Sequence, residues 1–195
     1  IPQSYRVNQV IDNFLRSLKL HGVFFAKICH NWRHDVSNKI RKIYLAGALF
    51  GAGERIHNLY LERELKKLGY EVLLPQRRAK AFVSDGELDL DAVREDCFAC
   101  AANEEVMYVG TVDGPDVDGG TAMEYGVAYH AKKRAIIART DFRTIVKSEI
   151  GLSAMLRMKG TELVYQPCYI TELDEIDAFY EELAKKIHEA ILSYE

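Results

Sequence analysis

The chain has 195 residues, of which 48% are hydrophobic, and a formal net charge of −3. This composition is typical of one globular domain with a substantial core. The charge balance provides no basic surface for a nucleic-acid polymer, the apolar runs are too short to span a membrane, and the N-terminus lacks a signal-peptide pattern. We therefore expect a soluble cytoplasmic protein without nucleic-acid or membrane partners.

Residues 1–40 differ in pattern from the remainder of the chain. Apolar residues recur at helical spacing between Val7 and Leu18, and Gly22 follows them. This pattern predicts an amphipathic helix that ends at the glycine. We expect a helical N-terminal extension that packs on the core or on a neighbouring subunit, followed by the main domain at residues 41–195.

From position 42 onward, predicted strands alternate with predicted helices. Such alternation is typical of a parallel sheet with helices on both faces. The expected fold class is therefore α/β, with a five-stranded, mostly parallel sheet of the flavodoxin or Rossmann type. The predicted strands cover residues 42–46, 70–74, 105–109, 134–138 and 162–165. The predicted helices cover residues 54–68, 89–102, 121–133, 144–158 and 172–194.

Three loops should surround one pocket at the carboxyl ends of the strands. Sheets of this kind bind ligands there, at the point where the strand order reverses. The loops are 47–53, 76–88 and 110–120, and the third is rich in glycine and aspartate. Glycines allow backbone to approach a ligand closely. We expect Gly47 and Gly120 to be among the residues that line the substrate site.

Several common cofactor and metal motifs are incomplete in this sequence. Gly51 and Gly53 suggest a dinucleotide site, but Ile56 stands where a third glycine is needed, and no acidic residue follows the second strand. Cys97 and Cys100 form a CxxC pair, but no second CxxC or suitably spaced histidine pair completes a metal site. We interpret the two cysteines as small buried residues and expect neither a metal nor a cofactor.

The most informative segment is 113–126, which reads DGPDVDGGTAMEYG. Thr121 and Glu124 have the spacing of a capping box, in which the glutamate bonds back to the threonine amide. Alternatively, Glu124 lies at the pocket floor, ionised at neutral pH and able to attack a sugar carbon. These two interpretations compete for one carboxylate. Taken alone, Tyr44 would be a core residue and Asp96 a solvated helix charge.

Together these segments resemble the nucleoside 2-deoxyribosyltransferase family over roughly residues 41–140. The matching pieces are 43–50 (IYLAGALF), the helix carrying Asp96, and 118–126 (DGGTAMEYG). The last is the most specific, because an aspartate, a glycine-containing turn and a glutamate six positions after the aspartate form the family's catalytic signature. The resemblance implies transfer of 2-deoxyribose between nucleobases through a covalent glycosyl–Glu124 intermediate.

The resemblance also implies roles for individual residues. Glu124 would be the nucleophile, Tyr44 would hydrogen-bond and orient it, and Asp96 would help to protonate the departing base. The implied substrate-binding residues are Asp118 at the sugar 5′-hydroxyl, Gln76 at the base or sugar, and Phe50 against the base. The implied partners are small-molecule nucleosides and free nucleobases.

Two other functions remain open at this stage. A related N-glycosidase would hydrolyse a nucleoside or a nucleoside 5′-monophosphate, either as its main reaction or as a side activity. Asp118 would repel a phosphate, which favours nucleosides. A nucleotide-sensing module on a similar sheet would bind its ligand without turnover and would not need Tyr44 and Glu124 together.

A homo-oligomer is expected, with pockets completed across subunits. The predicted helices 7–18 and 172–194 lie outside the sheet layers and provide more apolar surface than one small domain needs to cover itself. Members of the family that the sequence resembles assemble at least as dimers, so the resemblance also implies a homo-oligomer. The alternative is that the two helices pack on each other within one subunit.

Overall fold

The structure is a computed structural model that describes residues 40–131, 134–143 and 152–195. The predicted N-terminal helix lies outside these residues, as does most of the predicted helix 144–158. Of that second helix, the described part contains a 3₁₀ turn at Ala154–Leu156.

Five parallel strands form the central sheet, which confirms the predicted fold class. In chain order the strands are β1 (Lys42–Ala46), β2 (Glu71–Leu73), β3 (Val83–Ser84), β4 (Glu87–Leu88), β5 (Val106–Thr111), β6 (Ala135–Arg139) and β7 (Thr161–Tyr165). The sheet order is β2-β1-β5-β6-β7, while β3 and β4 form a separate antiparallel hairpin. The strand β1 is interior, as predicted, and the order reverses between β1 and β5.

Helices cover both faces of the sheet. They are α1 (Ala52–Lys67), α2 (Pro75–Arg78), α3 (Leu90–Ala102), α4 (Gly119–His130) and α5 (Ile176–Leu192). The helices α1 and α5 pack together over one face, and α3 and α4 pack together over the other. Successive residues of a strand point to opposite faces, so Ile43 and Leu45 face α1 and α5, whereas Tyr44 and Ala46 face α3 and α4. This alternation decides which side of the sheet receives the Tyr44 side chain.

The apolar stripe of α5 is used within its own chain. Leu183, Ile187 and Ile191 are fully buried in the core beneath α1, and the Tyr180 ring stacks on that of Tyr60 at 5.1 Å between centroids. For α5, the surplus of apolar surface expected from the sequence is therefore consumed by the domain itself. Within the described part of the chain, no helix is long and apolar enough to cross a membrane.

Candidate active site

The site lies at the carboxyl ends of β1 and β5, where the strand order reverses. Ala46 pairs with Gly110 at the last position of their ladder, and the Thr111 hydroxyl donates to the Ala46 carbonyl at 3.2 Å. The chain then leaves β1 through Gly47, where an added Cβ would lie 2.1 Å from Thr111 Oγ1. Only glycine fits this approach without a shift of the threonine, so Gly47 serves the packing of the two strand ends.

Glu124 lies in the second turn of α4, on its buried side. The helix begins at Gly119 with Asp118 as its N-cap, and Asp118 Oδ2 accepts from both the amide and the hydroxyl of Thr121 at 2.8 and 3.0 Å. Thr121 is thus inside the helix, and the capping-box interpretation is wrong because Asp118 performs the capping. The Glu124 side chain is left free to turn into the site, where the residue is 9% exposed.

Burial controls the ionisation of Glu124. Desolvation is the largest cause, and it raises the pKa of the carboxyl to about 7. The neighbouring donors Tyr44 and Cys97 lower the pKa of Glu124, whereas the negative charge of Asp118 raises it further. Near neutral pH a substantial fraction of this carboxyl is therefore protonated, whereas a glutamate with an ordinary pKa is fully ionised. Burial also raises the pKa of Tyr44 far above its usual range, so its hydroxyl remains a proton donor.

Glu124→Gln should stabilise the protein at alkaline pH. The unfolded chain releases the Glu124 proton from about pH 4.5, whereas the folded protein holds it until about pH 7. The free energy of unfolding of the wild type is therefore highest at low pH and decreases as the pH rises toward 7. The neutral amide escapes this loss. We expect the variant to gain about 2–3 kcal/mol more in unfolding free energy at pH 8 than at pH 5. Urea denaturation at both pH values measures the difference, and an equal gain at the two would contradict it.

Cys97 of α3 packs against the cluster that contains Tyr44 and lies near Glu124. The thiol is half-buried, and burial raises its pKa to about 11, so it stays protonated. It lies close enough to both neighbours to interact with the hydroxyl and the carboxyl. Sequence reasoning treated Cys97 as a small buried residue and overlooked this position. The sequence offered one signal for it, since Cys97 directly follows Asp96, which was itself predicted to lie at the site.

The structure does not bring Asp96 to the Glu124 carboxyl. Arg78, at the end of α2, donates from Nε to Asp96 Oδ2 at 2.7 Å and from Nη2 to Oδ1 at 2.5 Å. Both carboxylate oxygens are therefore engaged in a bidentate ion pair that also raises the pKa of Arg78. The implied role in protonating the base would require this carboxyl to face the substrate while it is paired with Arg78, and that role stays a prediction.

Hydrogen bonds to the end of β6 and the residues after it hold the aspartate-rich loop that follows β5. Asp113 accepts from the amides of Thr140 and Asp141 at 2.6 and 2.8 Å and from the Thr140 hydroxyl at 2.6 Å. Arg139, which is almost fully buried, donates to the carbonyls of the loop on either side of Asp113. The loop that ends in Asp118 is thus held to the segment that follows β6.

A cavity of about 310 Å³ lies between the start of α1 and this loop. Asp118 and Asp113 line one side, and Glu54, His57 and Asn58 of α1 line the other. The cavity joins the two loops that the sequence predicted around the pocket, and Asp118 contributes to it as well as capping α4.

The other residues that were predicted to contact the substrate differ in how accessible they are to a ligand. Gln76 is buried, accepts from Asn58 Nδ2 at 3.2 Å and donates to the Arg55 carbonyl at 3.2 Å, so its amide ties α2 to α1. Phe50 is 82% exposed at the end of the first loop and is free to meet a ligand. Gly120 is exposed in the first turn of α4.

Comparisons with known proteins agree with this architecture. A family model described as nucleoside 2-deoxyribosyltransferase matches residues 43–188. The structure of a conserved protein from Enterococcus faecalis V583 is similar, with 22% identity, a TM-score of 0.52, and coverage of 78% of this chain and 99% of that one. A 2-deoxyribosyltransferase from Bacillus psychrosaccharolyticus shows 20% identity, a TM-score of 0.47, and coverage of 70% and 90%. The chain matches no curated protein sequence at a significant level.

Proposed function

The chain belongs to the nucleoside 2-deoxyribosyltransferase family, and we propose on that basis that it exchanges the nucleobase of 2-deoxynucleosides through a glycosyl ester on Glu124. The observation that carries this proposal is a buried carboxyl at the switch point of the sheet, next to a tyrosine hydroxyl and a thiol that both stay protonated. A carboxylate in such a place is shielded from bulk water.

The proposed chemistry follows from what cleavage of an N-glycosidic bond requires. As the bond between C1′ and the base nitrogen breaks, its electron pair leaves with the base, which takes up a proton, and the sugar becomes oxocarbenium-like. The Glu124 carboxylate stabilises that positive charge and closes on C1′ to give an ester. A second base then attacks C1′ through a ring nitrogen, loses a proton, and releases Glu124 as a carboxylate.

We assign the cavity beside Asp118 to the 5′ end of the sugar. The carboxylates that line it, from Glu54, Asp113 and Asp118, accept hydrogen bonds from a hydroxyl but repel a phosphate. This lining favours nucleosides over nucleoside 5′-monophosphates. Phe50, exposed at the mouth of the first loop, supplies an aromatic face for the base.

One incubation separates transfer from hydrolysis and from mere binding. The protein is mixed with deoxyinosine, with and without adenine, and the products are separated by chromatography. Deoxyadenosine that forms only when adenine is present supports the proposal. Hypoxanthine released at an equal rate without an acceptor indicates hydrolysis, and binding of deoxyinosine without any product indicates a sensing module.

Asp96→Asn should have a small and uniform effect on catalysis. Because Arg78 occupies both carboxylate oxygens, we expect the exchange rate to fall by less than about tenfold, a barrier change below about 1.4 kcal/mol. Comparison of deoxyadenosine, deoxyinosine and deoxycytidine as donors checks this. A loss that grows steeply for the bases that are harder to protonate would restore Asp96 to the acid role.

We propose that the site is shared between subunits of a homo-oligomer. Phe50 and Met123, the residue before the nucleophile, are 82% and 62% exposed beside a site that must exclude water to protect the ester. Sedimentation at micromolar concentration should give a dimer or a larger species. An active species at the 22.2 kDa mass of one chain would contradict a shared site.

A further inference from the structure

We propose that His57 and Asn58, two successive residues of α1, bind the 5′-hydroxyl of the sugar: the His57 ring donates a hydrogen bond to it, and the Asn58 side-chain oxygen accepts one from it. The inference rests on the proposed function, which assigns the cavity beside Asp118 to the 5′ end of the sugar, and it adds two residues to that contact. Both residues line this cavity, opposite Asp113 and Asp118.

Two backbone carbonyls fix the orientation of the Asn58 amide. Its Nδ2 donates to the Ala48 carbonyl at 2.9 Å and to Gln76 Oε1 at 3.2 Å. Gln76 Nε2 in turn donates to the Arg55 carbonyl at 3.2 Å. Because a carbonyl oxygen only accepts, neither amide can be turned around without losing a bond. Asn58 Oδ1 is thereby left as an acceptor. The residue is 2% exposed, and this oxygen has no hydrogen-bond partner among the residues that the structure describes.

The His57 ring carries the matching donor. Its Nδ1 lies 3.0 Å from the Tyr180 hydroxyl, and the two rings meet edge to face at 5.4 Å between centroids. Burial lowers the pKa of His57, although the charge of Asp113 acts against it, so the ring is neutral near neutral pH and carries one proton.

The Tyr180 hydroxyl decides which nitrogen of His57 holds that proton. Burial raises the pKa of Tyr180, so the hydroxyl keeps its own proton and can donate it to Nδ1. The opposite tautomer would leave the hydroxyl proton without an acceptor in the described part of the chain. The ring proton of His57 therefore lies on Nε2. This nitrogen is buried and, within the same described residues, has no hydrogen-bond partner.

An unpaired donor and an unpaired acceptor on one cavity wall match a hydroxyl, which carries both functions. A phosphate offers mainly acceptors and would meet the carboxylates of Glu54, Asp113 and Asp118. A methyl group would leave both atoms unpaired, and a site built to bind a hydroxyl strongly rejects an analogue that lacks it. We therefore expect His57 and Asn58 to select nucleosides with a free 5′-hydroxyl.

The competing explanation is that both side chains only hold α1 in place. Asn58 ties this helix to the first loop and to α2, and His57 ties it to α5 through Tyr180. Loss of such a tie would slow every donor nucleoside by the same factor. Loss of a contact with the 5′-hydroxyl would slow only donors that carry this group. The ratio between two donors is therefore the decisive measurement.

The experiment compares deoxyinosine with 2′,5′-dideoxyinosine, which lacks only the 5′-hydroxyl, as donors of the sugar to adenine. For the wild type we expect kcat/KM to be at least about 30-fold higher with deoxyinosine. In His57→Phe, which keeps an aromatic ring against Tyr180, and in Asn58→Ala, this ratio should fall by roughly five- to fiftyfold. An unchanged ratio in either variant would overturn the inference.

His188→Phe is the matched control. His188 Nδ1 lies 2.6 Å from the Tyr70 hydroxyl, with the rings edge to face at 5.7 Å, and the residue is not among those that line the cavity. This variant loses the same kind of histidine–tyrosine bond, so its donor ratio should equal that of the wild type. A ratio that falls in His188→Phe as far as in His57→Phe would support the structural explanation and overturn the contact.

Binding to Glu124→Gln measures the same discrimination without turnover and with α1 unchanged. Calorimetry should give a lower Kd for deoxyinosine than for 2′,5′-dideoxyinosine. Equal Kd values would overturn the inference, even if Asn58→Ala loses too many ties to fold. A preference for deoxyinosine that His57→Phe abolishes, in a protein that exchanges no bases, would keep the contact and refute the proposed function. Base exchange with equal rates for the two donors would refute the contact alone.

Discussion

Substitution of Glu124 by glutamine should reduce base exchange by at least about a thousandfold, because in the proposed mechanism the reaction loses the atom that forms the ester. The amide has the same shape as the carboxyl but neither its charge nor its nucleophilicity. The rate of deoxyadenosine formation from deoxyinosine and adenine measures the effect. Glu95→Gln on the exposed side of α3, where the carboxylate pairs loosely with Arg94 at 3.6 Å, is the control and should retain the wild-type rate.

The stability of Glu124→Gln separates chemistry from folding. This variant is expected to be more stable than the wild type at pH 8, so lost activity at that pH cannot be explained by unfolding. If the variant keeps its rate within tenfold of the wild type, Glu124 is not the nucleophile. Wild-type protein trapped with a slow substrate should also gain the mass of one deoxyribosyl group, whereas the variant should not.

Gly47→Ala should destabilise the protein by about 1–3 kcal/mol, the usual cost of an overpacked position. The new Cβ would meet Thr111 Oγ1 at 2.1 Å, and the threonine would have to give up its bond to the Ala46 carbonyl to make room. Gly53→Ala on α1 is the control, since a Cβ there meets nothing within 4 Å. That variant should be neutral or slightly stabilising, because alanine suits a helix better than glycine does.

A double-mutant cycle assigns the clash to one atom. Thr111→Ala removes Oγ1, and the Cβ atoms of positions 47 and 111 would then be 3.4 Å apart. The combined variant should therefore lose less than the sum of the two single losses, with a coupling of about 0.5–3 kcal/mol. Urea denaturation provides all four stabilities. Additive losses would show that Gly47→Ala acts through another contact.

The sheet and the position of Glu124 at its edge were predictable because their signals are local. Strands β1 and β5 are short apolar runs between loops, a pattern that predicts buried strands. Because successive side chains of a strand point to opposite faces of the sheet, Tyr44 lies on the face opposite to Ile43 and Leu45. The segment 118–126 combines an aspartate, two glycines and Glu124 at a spacing that marks a helix start at a sheet edge. The family model over residues 43–188 agrees with that resemblance.

Other features depend on packing that no local pattern encodes. Neighbouring helix positions differ by about 100° in direction, so the sequence alone does not fix which residue of α3 points toward Glu124. Arg78, 18 residues before Asp96, forms a bidentate ion pair with its carboxylate, and no local pattern predicts that partner. Similarly, Gly119 and Gly120 appeared to be loop residues because glycine is a poor helix former, yet Asp118 caps the helix ahead of them.

The bond between Thr111 and Ala46 joins residues that are 65 positions apart in the chain. Strands β1 and β5 are parallel, so this edge can form only after the intervening chain has closed into a long crossover, at a considerable cost in chain entropy. During refolding, α1, α3 and α4 can each gain helical hydrogen bonds earlier, from local sequence alone. A refolding chain therefore recovers its helical circular dichroism before Tyr44, Cys97 and Glu124 come together, and competence for base exchange returns in the slowest phase.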